Sequence, residues 1–398
     1  MVRYNIDEIS DDMILGESIF LPSGELLLSA GYRIKERYRQ RLKQLGYSNV
    51  LIELEGTEGV RPETTVCEQS QREMNKSVNA SSKELETAFN KFRHRSNLKV
   101  KEIIKENRQH LSNFIMSSGM AKALEQFVDE IMSQSSIVLN LSAIQHTQPE
   151  ALSHVLNVTI TALCIGKKYK YSYEEMKQLG IGALNYDLGM IALSPDLLEK
   201  RRKNQPFSEE EQKQYNQHPL FGYLMLNQNH LIPSTSAAVA LQHHEYENGS
   251  GFPQGLRGDN RPPLKDFSRQ NMIHRFAEIV AVADTYDSLL SGRYNCGQKM
   301  EVKDVMKHII TMSSTELNSD IVKTLIAIVP IYPVGARIRI VNAPTSQLVG
   351  YVGAVAKDNK ENIEKPQIIL FQTRNRQKIK PVLIDLAKHK GFELELIA

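Results

Sequence analysis

The residues best equipped for chemistry lie in the run His243-His244-Glu245-Tyr246-Glu247-Asn248-Gly249-Ser250-Gly251-Phe252-Pro253. Two adjacent imidazoles and a carboxylate precede a glycine-rich loop that an aromatic residue and a proline close. Neighbouring histidines on a helix diverge by about 100°, so the pair could serve two metal ions, or one ion and a supporting role. The glycines let backbone approach a ligand closely, and Phe252-Pro253 forms a stiff wall. This run predicts a metal-binding pocket.

Further carboxylates and imidazoles occur in the same part of the chain. Glu150 and His154 are four residues apart in a helical stretch, so both project from one face. Asp187 and Asp284 follow apolar helical runs, where a carboxylate is costly to bury unless a cation meets it. Each residue alone fits a capping, surface or paired core role. The combined set of candidate metal ligands is Glu150, His154, Asp187, His218, His243, His244 and Asp284.

The composition of this ligand set indicates which ion it would hold. Carboxylate oxygens mixed with imidazole nitrogens suit iron, manganese or zinc better than calcium or magnesium. A carboxylate that bridges two such ions would activate water and neutralise a phosphoryl oxygen, which is what phosphodiester hydrolysis requires.

In order, these motifs resemble the HD-GYP family, a subclass of the helical HD phosphohydrolases, from Glu150 to Arg293. By that resemblance Glu150 and His154 match the ligand pair before the HD motif, and Asp187 matches its metal-bridging aspartate. His218, His243, His244 and Asp284 match the remaining ligands of the family. Arg293 matches the arginine that grips a substrate phosphate, and Gly249, Gly251, Phe252 and Pro253 match the loop at the guanine side.

The resemblance implies an activity and its cofactors. It implies hydrolysis of cyclic di-GMP at a centre of two or three divalent transition-metal ions, with iron or manganese favoured. Asp187 and Arg293 would be the catalytic residues.

Four positions depart from the family pattern. Tyr186-Asp187 replaces the His-Asp pair, Met190 replaces a lysine, Cys296 replaces a basic residue and Phe252 replaces a tyrosine. A phenol, with a pKa of about 10, ligates only a strongly Lewis-acidic metal, so Tyr186 either ligates such an ion or fills the volume of the histidine. Elsewhere in enzymology the loss of one electrostatic donor costs roughly 2.7–4 kcal/mol of transition-state stabilisation.

Different functions are therefore compatible with the sequence. The first is a cyclic di-GMP phosphodiesterase weakened by loss of the HD histidine. The alternative is a catalytically inactive module that binds cyclic di-GMP or a protein partner and signals. A third is a scaffold that only a structural metal stabilises.

Composition narrows the class of partner and the compartment. The chain has 398 residues and a net charge of only +3, so its overall electrostatic potential gives no reason to expect binding of a nucleic-acid polymer. Its three cysteines form no Cys-x-x-Cys motif, which argues against a disulfide framework and favours a reducing compartment. We find no signal peptide or membrane-spanning run, and we expect a cytoplasmic protein.

The elements that must position these residues are predominantly helical. Residues 1–55 predict a small α/β module, with a hairpin around Pro22-Ser23-Gly24, and residues 56–120 predict a polar linker and a charged helix. Residues 121–330 predict the helical bundle of an HD-type metal-binding domain, and residues 331–398 predict a small β-rich appendage. The charged helix suggests a homodimer, and the N-terminal module suggests a signalling-protein partner.

Overall fold

Alternating apolar residues at the two ends of the chain form antiparallel strands in the computed structural model. Successive side chains on a strand point to opposite faces, so Ile338 and Ile340 are buried while Arg339 between them is exposed. The strands are β1 Val2–Asn5, β2 Ile14–Leu15, β3 Ile19–Phe20, β4 Leu26–Leu28, β5 Asn49–Glu53, β6 Arg337–Asn342, β7 Val352–Lys357, β8 Gln367–Gln372, β9 Lys378–Asp385 and β10 Glu393–Leu396. They form sheets of order β1-β5-β2, β3-β4 and β10-β6-β7-β8-β9.

The chain folds into two units. The first combines Met1–Thr65, Ser136–Pro149 and Ile328–Ala398, and the second combines Val66–Ser135 with Glu150–Ala327. The structure describes residues 1–20, 26–45, 47, 49–62, 64–95, 99–135, 137–139, 150–227, 229–265, 268, 270–293, 298–359 and 362–397.

The first unit joins the two ends of the chain through a shared apolar core. The backbone amide of Arg3 in β1 donates to the carbonyl of Gly335, just before β6, at 2.7 Å. Val2 packs with Val334 and Ile338 in the same cluster. The predicted hairpin is present as the β3–β4 pair, although its turn, residues 21–25, lies outside the described residues.

The second unit is built from helices. They are α2 Glu68–Arg95, α3 Val100–Glu106, α4 Arg108–Ile115, α5 Ser118–Ser133, α6 Glu150–Lys168, α7 Tyr173–Asn185, α8 Pro195–Arg202, α9 Glu209–Tyr215, α10 His218–Leu226, α11 Ser234–Gln242, α12 Arg275–Ser291, α13 Val302–Met312 and α14 Ser319–Ile328, after α1 Glu36–Gln44 in the first unit. At the centre, α6 packs against α7 and α12, and α11 packs against α7, α10 and α12.

The structure can be compared with the predicted fold class and with the predicted linker. The predicted fold class, mostly α with small sheets near both ends, is confirmed. Helix α2 begins at Glu68, within the segment predicted as a polar linker that grades into a helix, and its polar residues Ser70, Gln71, Asn75 and Ser81 are buried. No helix among the described residues has the length and apolar character needed to cross a membrane.

Candidate metal and substrate site

The ends and faces of central helices bring the candidate residues together. His154 on α6 meets Asp287 on α12, and Asp284 lies one turn before Asp287 on the same helix face. Tyr186 and Asp187 follow the last residue of α7, and His218 is the first residue of α10. His243 and His244 come directly after α11.

Three histidines form the metal-ligating cluster in the described part of the chain. One ring nitrogen from each of His218, His243 and His244 lies within 4.8 Å of the others. The Nε2 atoms of His218 and His243 are 3.3 Å apart. The ring of His244 lies 4.2 Å from that of His243, centroid to centroid. These distances suit three ligands of one ion.

Backbone carbonyls fix how two of these imidazoles present their nitrogens. Nδ1 of His218 donates to the carbonyl of Tyr215 at 2.8 Å, and Nδ1 of His243 donates to that of Ala240 at 3.0 Å. The proton on Nδ1 leaves Nε2 with a free electron pair, as in metal-bound histidines. Two such Nε2 atoms at 3.3 Å repel unless a cation lies against both. The donor set therefore fits a divalent transition metal.

Burial keeps these imidazoles neutral. It lowers the pKa of His218 to about 4, although the negative charge of Asp187 opposes the shift. Burial also lowers the pKa of His243 and takes that of His244 well below its usual value, with a contribution from the neighbouring imidazoles. Neutral imidazole is the form that binds metal.

Asp187 supplies a carboxylate beside this cluster. Its Oδ1 lies 3.5 Å from Nε2 of His218. Burial raises the pKa of Asp187, but the positive charge of Arg201 and the neighbouring His218 and His243 outweigh burial and hold the pKa at about 2. The carboxylate is thus ionised at neutral pH and available to a cation.

His154 belongs to a different group of contacts. Its Nδ1 donates to Oδ2 of Asp287 at 2.6 Å, and Asn157 donates to the other oxygen of Asp287 at 2.7 Å. Its Nε2 lies 2.7 Å from the phenol oxygen of Tyr186 and 2.8 Å from Oδ1 of Asp284. Tyr186 in turn donates to Oδ1 of Asp284 at 3.0 Å. Both nitrogens of His154 are therefore engaged within the protein.

The protonation of this group follows from its contacts. Burial lowers the pKa of His154, but hydrogen bonds to Asp284 and Asp287 outweigh burial and raise the pKa to about 9. Burial and the charges of Asp284 and Asp187 raise the pKa of Tyr186 well above its usual range. Burial raises the pKa of Asp284, but its hydrogen bond to His154 takes it far below the usual value. At neutral pH the phenol of Tyr186 is therefore protonated, His154 is an imidazolium and Asp284 is ionised.

The glycine-rich loop closes over the histidines. The amide of Phe252 donates to the carbonyl of His244 at 3.0 Å, and the two rings stack with centroids 4.6 Å apart. Buried Glu245 accepts hydrogen bonds from the amides of Gln254 at 2.7 Å and Leu256 at 2.8 Å. A Cβ atom on Gly251 would lie 2.4 Å from the His244 carbonyl, so this close approach requires glycine.

The departures from the family pattern have different surroundings. Met190 packs in an apolar cluster with residues such as Phe221. The preceding Gly189 lets α10 approach, because a Cβ there would meet the carbonyl of His218 at 1.9 Å. Cys296 lies outside the described residues, as does the side chain of Glu150.

Arg293 lies directly after the C-terminal end of α12. Gly292 ends the helix in the left-handed conformation, with φ of 85°. The positive charge of the next residue, Arg293, acts against protonation of His154 and favours ionisation of Tyr186. Arg293 is therefore near the His154 group, where the sequence expects a phosphate-binding cation.

Arg201 and Asp287 are residues of the site that the sequence analysis does not predict. Arg201 lies in the basic run Lys200-Arg201-Arg202, which indicates a solvated surface, yet its guanidinium stacks over Tyr215 at 5.5 Å from the ring centroid. Asp287 lies three residues after Asp284, and this spacing predicts that both carboxylates lie on the same helix face.

Comparison with known proteins identifies a family and several proteins that this chain resembles. A family model described as an HD domain matches residues 132–321. A cyclic di-GMP phosphodiesterase response regulator of Xanthomonas campestris is 36% identical over 36% of this chain and 33% of its own length. A cyclic di-GMP phosphodiesterase of Pseudomonas aeruginosa is 23% identical over 66% of this chain and 58% of its own. This chain thus spans a third and somewhat over half of these two relatives.

A solved structure of an HDG“Y”P protein from Bdellovibrio bacteriovorus aligns with 81% of this chain and 97% of its own, at 18% identity and a TM-score of 0.44. HD-domain phosphohydrolases depend on divalent metal, in keeping with the histidine cluster. The predicted HD-GYP resemblance is confirmed, and residues 132–321 of this chain match the HD-domain family.

Proposed function

We propose that this protein is a metal-dependent phosphodiesterase that binds cyclic di-GMP and hydrolyses it slowly. The observation that carries the proposal is the pair of unprotonated Nε2 atoms of His218 and His243, 3.3 Å apart, beside the ionised carboxylate of Asp187. Such a set binds a divalent cation, and a phosphodiester needs a cation against its oxygens in order to be attacked by water. The relatives named above act on cyclic di-GMP.

The ion would be held by His218, His243 and His244, with Asp187 beside them. Iron or manganese suits these nitrogen and oxygen donors. When bound, the ion supplies Lewis-acid charge to the phosphoryl group.

Arginines and the glycine-rich loop would orient the substrate. Arg201, whose charge acts on Asp187, would bind one phosphate from the α8 side. Arg293, whose charge acts on His154 and Tyr186, would bind a phosphate from the α12 side. Gly249, Gly251, Phe252 and Pro253 would form the wall against a guanine base, with Phe252 as its aromatic surface.

We expect slow turnover because Tyr186 stands where the family has a histidine, and Met190 stands where the family has a lysine. The loss of one such electrostatic donor costs roughly 2.7–4 kcal/mol of transition-state stabilisation in other enzymes. We therefore expect a rate well below that of an enzyme that keeps both residues.

The test is to load anaerobically purified protein with Mn²⁺ and follow cyclic di-GMP by chromatography, beside Tyr186→His and His243→Ala. We expect slow conversion by wild type, faster conversion by Tyr186→His and none by His243→Ala. A rate for His243→Ala equal to that of wild type would contradict the proposal.

A second candidate function is binding of cyclic di-GMP without hydrolysis, as a signalling module. It is favoured by the contact of Tyr186 with His154 and Asp284 where the family has a histidine. The two functions are distinguished by calorimetric titration of cyclic di-GMP into metal-loaded protein. Binding with no product after prolonged incubation, and product only from Tyr186→His, would select the second.

A further inference from the structure

The described ligand candidates separate into two groups rather than one continuous shell. His218, His243 and His244 present ring nitrogens that all lie within 4.8 Å of one another. His154 and Asp284 instead contact each other and Tyr186. The two groups can be tested separately for their fit to a metal ion.

In the first group, the Nε2 atoms of His218 and His243 carry no proton and can bind an ion. Nδ1 of His218 and Nδ1 of His243 each donate to a backbone carbonyl, so both Nε2 atoms can only accept. They face each other at 3.3 Å. An ion bound to both would remove this repulsion, since metal–nitrogen distances are about 2.0–2.1 Å. This group fits one ion.

The second group has no imidazole nitrogen left for an ion. The phenol oxygen of Tyr186 lies 2.7 Å from Nε2 of His154, on the side where a metal would bind. An ion bound about 2.1 Å from that nitrogen would overlap the phenol oxygen. Nδ1 of His154 cannot serve instead, because it is bonded to Asp287 at 2.6 Å.

The hydroxyl of Tyr186 makes both of its described hydrogen bonds within this group. Its hydroxyl proton points to Oδ1 of Asp284, at 3.0 Å, and its oxygen accepts from His154. Asp284 is likewise shared between Tyr186 and His154, at 3.0 and 2.8 Å. Both side chains are buried, since Tyr186 is 1% exposed and His154 is 3% exposed. Rearrangement to admit an ion would break several hydrogen bonds in a water-poor interior, where unpaired polar groups are costly.

We propose that this protein holds a single divalent ion per chain, at His218, His243 and His244, and that the hydrogen-bonded group of Tyr186, His154, Asp284 and Asp287 stands in place of a second ion. The sequence predicts two or three ions, so the proposal changes the number. Tyrosine in place of histidine at position 186 removes one metal ligand. Because the tyrosine side chain is longer, its hydroxyl also contacts Nε2 of His154, on the side where an ion would bind.

This inference deepens the proposed function, since it takes the same site to bind a divalent ion. Its test is metal content, which is independent of turnover. A protein with one ion that hydrolyses nothing would overturn the phosphodiesterase and leave the single-ion site intact. A protein with two ions that hydrolyses cyclic di-GMP would do the reverse.

The experiment counts metal in the full-length chain. Wild type and variants are loaded with excess Mn²⁺ without oxygen and desalted, and manganese per chain is measured by mass spectrometry. Electron paramagnetic resonance of the same samples distinguishes an isolated Mn²⁺ ion from a coupled pair, since paired ions in two-metal sites lie about 3.5–4 Å apart. We expect one ion per wild-type chain, with the spectrum of an isolated ion.

Four variants assign that ion to its ligands. His243→Ala should lose it, whereas His154→Ala should retain one ion per chain. Tyr186→His should approach two ions with a coupled spectrum. Tyr186→Phe, which keeps the ring and adds no ligand, should stay at one.

Three outcomes would overturn the proposal. These are two ions in wild type, no ion in wild type, or loss of the ion in His154→Ala with retention in His243→Ala. Circular dichroism of each variant shows whether a low count reflects unfolding. The wild-type count decides between one ion and two even if a variant fails to fold.

Discussion

The phenol oxygen of Tyr186 lies 2.7 Å from Nε2 of His154. This contact joins the end of α7 to the N-terminal part of α6 and connects both to Asp284 on α12. A shorter histidine at position 186 could not make the same contact, which would leave Oδ1 of Asp284, at 2.8 Å, as the remaining close contact of Nε2 of His154. The substitution therefore changes two candidate ligands at once, although it alters only one residue.

The metal-free protein should lose stability as pH rises through this group. The hydrogen bonds to Asp284 and Asp287 raise the pKa of His154 from 6.5 to about 9 in the folded state. A raised folded-state pKa stabilises the folded protein fully below about pH 6.5, and this stabilisation is lost as pH rises through about 9. Urea unfolding in the presence of a chelator, between pH 6 and 10, measures it.

Asp287→Asn is the matched variant for this pH profile. Removing one partner of a buried ion pair costs about 3–5 kcal/mol, so the variant should be less stable at pH 6. The difference from wild type should shrink toward pH 10, where His154 is neutral in both. A difference that does not change with pH would contradict the assignment of the charge to His154.

Arg201→Met should weaken binding of cyclic di-GMP without changing metal content. The guanidinium stacks over Tyr215 and its charge acts on Asp187, so it is placed for a substrate phosphate and does not ligate metal. Loss of a charge-assisted hydrogen bond of about 1.5–3 kcal/mol predicts roughly a tenfold or larger rise in Kd. Calorimetric titration into metal-loaded protein measures the change.

Its control is the adjacent Arg202→Met. Arg202 has a side chain that is 78% exposed and contacts Glu199 at 3.7 Å. Its affinity for cyclic di-GMP should equal that of wild type. Equal weakening by both substitutions would mean that the general charge of α8, and not the position of Arg201, matters.

Phe252→Ala should also weaken nucleotide binding. The ring of Phe252 stacks on His244 at 4.6 Å and lines the loop that we assign to the base. Stacking of a base on an aromatic side chain contributes about 1–3 kcal/mol, so we expect a rise in Kd of about tenfold. Phe252→Tyr keeps the aromatic face and should bind as wild type does; an unchanged Kd for Phe252→Ala would remove the ring from the base site.

Glu245→Gln should destabilise the glycine-rich loop. The buried carboxylate accepts from the amides of Gln254 and Leu256, and hydrogen bonds to a charged group contribute about 1.5–3 kcal/mol. Hydrogen exchange at those two amides should accelerate, and the free energy of unfolding should fall by about 1–3 kcal/mol. Glu86→Gln, on the exposed face of α2, should change neither; unaltered exchange in Glu245→Gln would show that the loop is held by other contacts.

The sequence by itself determined the helical class, the family and most of the candidate metal ligands. These follow from local rules: periodicity defines the helices, and the residue types and order in the His243 to Pro253 run define the signature. It also identified Tyr186 as a departure from the family pattern. Residue type and spacing carry this information because they do not depend on which helices meet.

Only the tertiary structure decided how those residues are partnered. Asp287 meets His154 because α12 packs against α6, and Arg201 turns from a basic run toward Tyr215 and Asp187. Likewise β1 meets the start of β6 although more than three hundred residues separate Arg3 from Gly335. Hydrogen bonds and charges act over a few ångströms of space, so a contact between distant segments leaves no local pattern in the sequence.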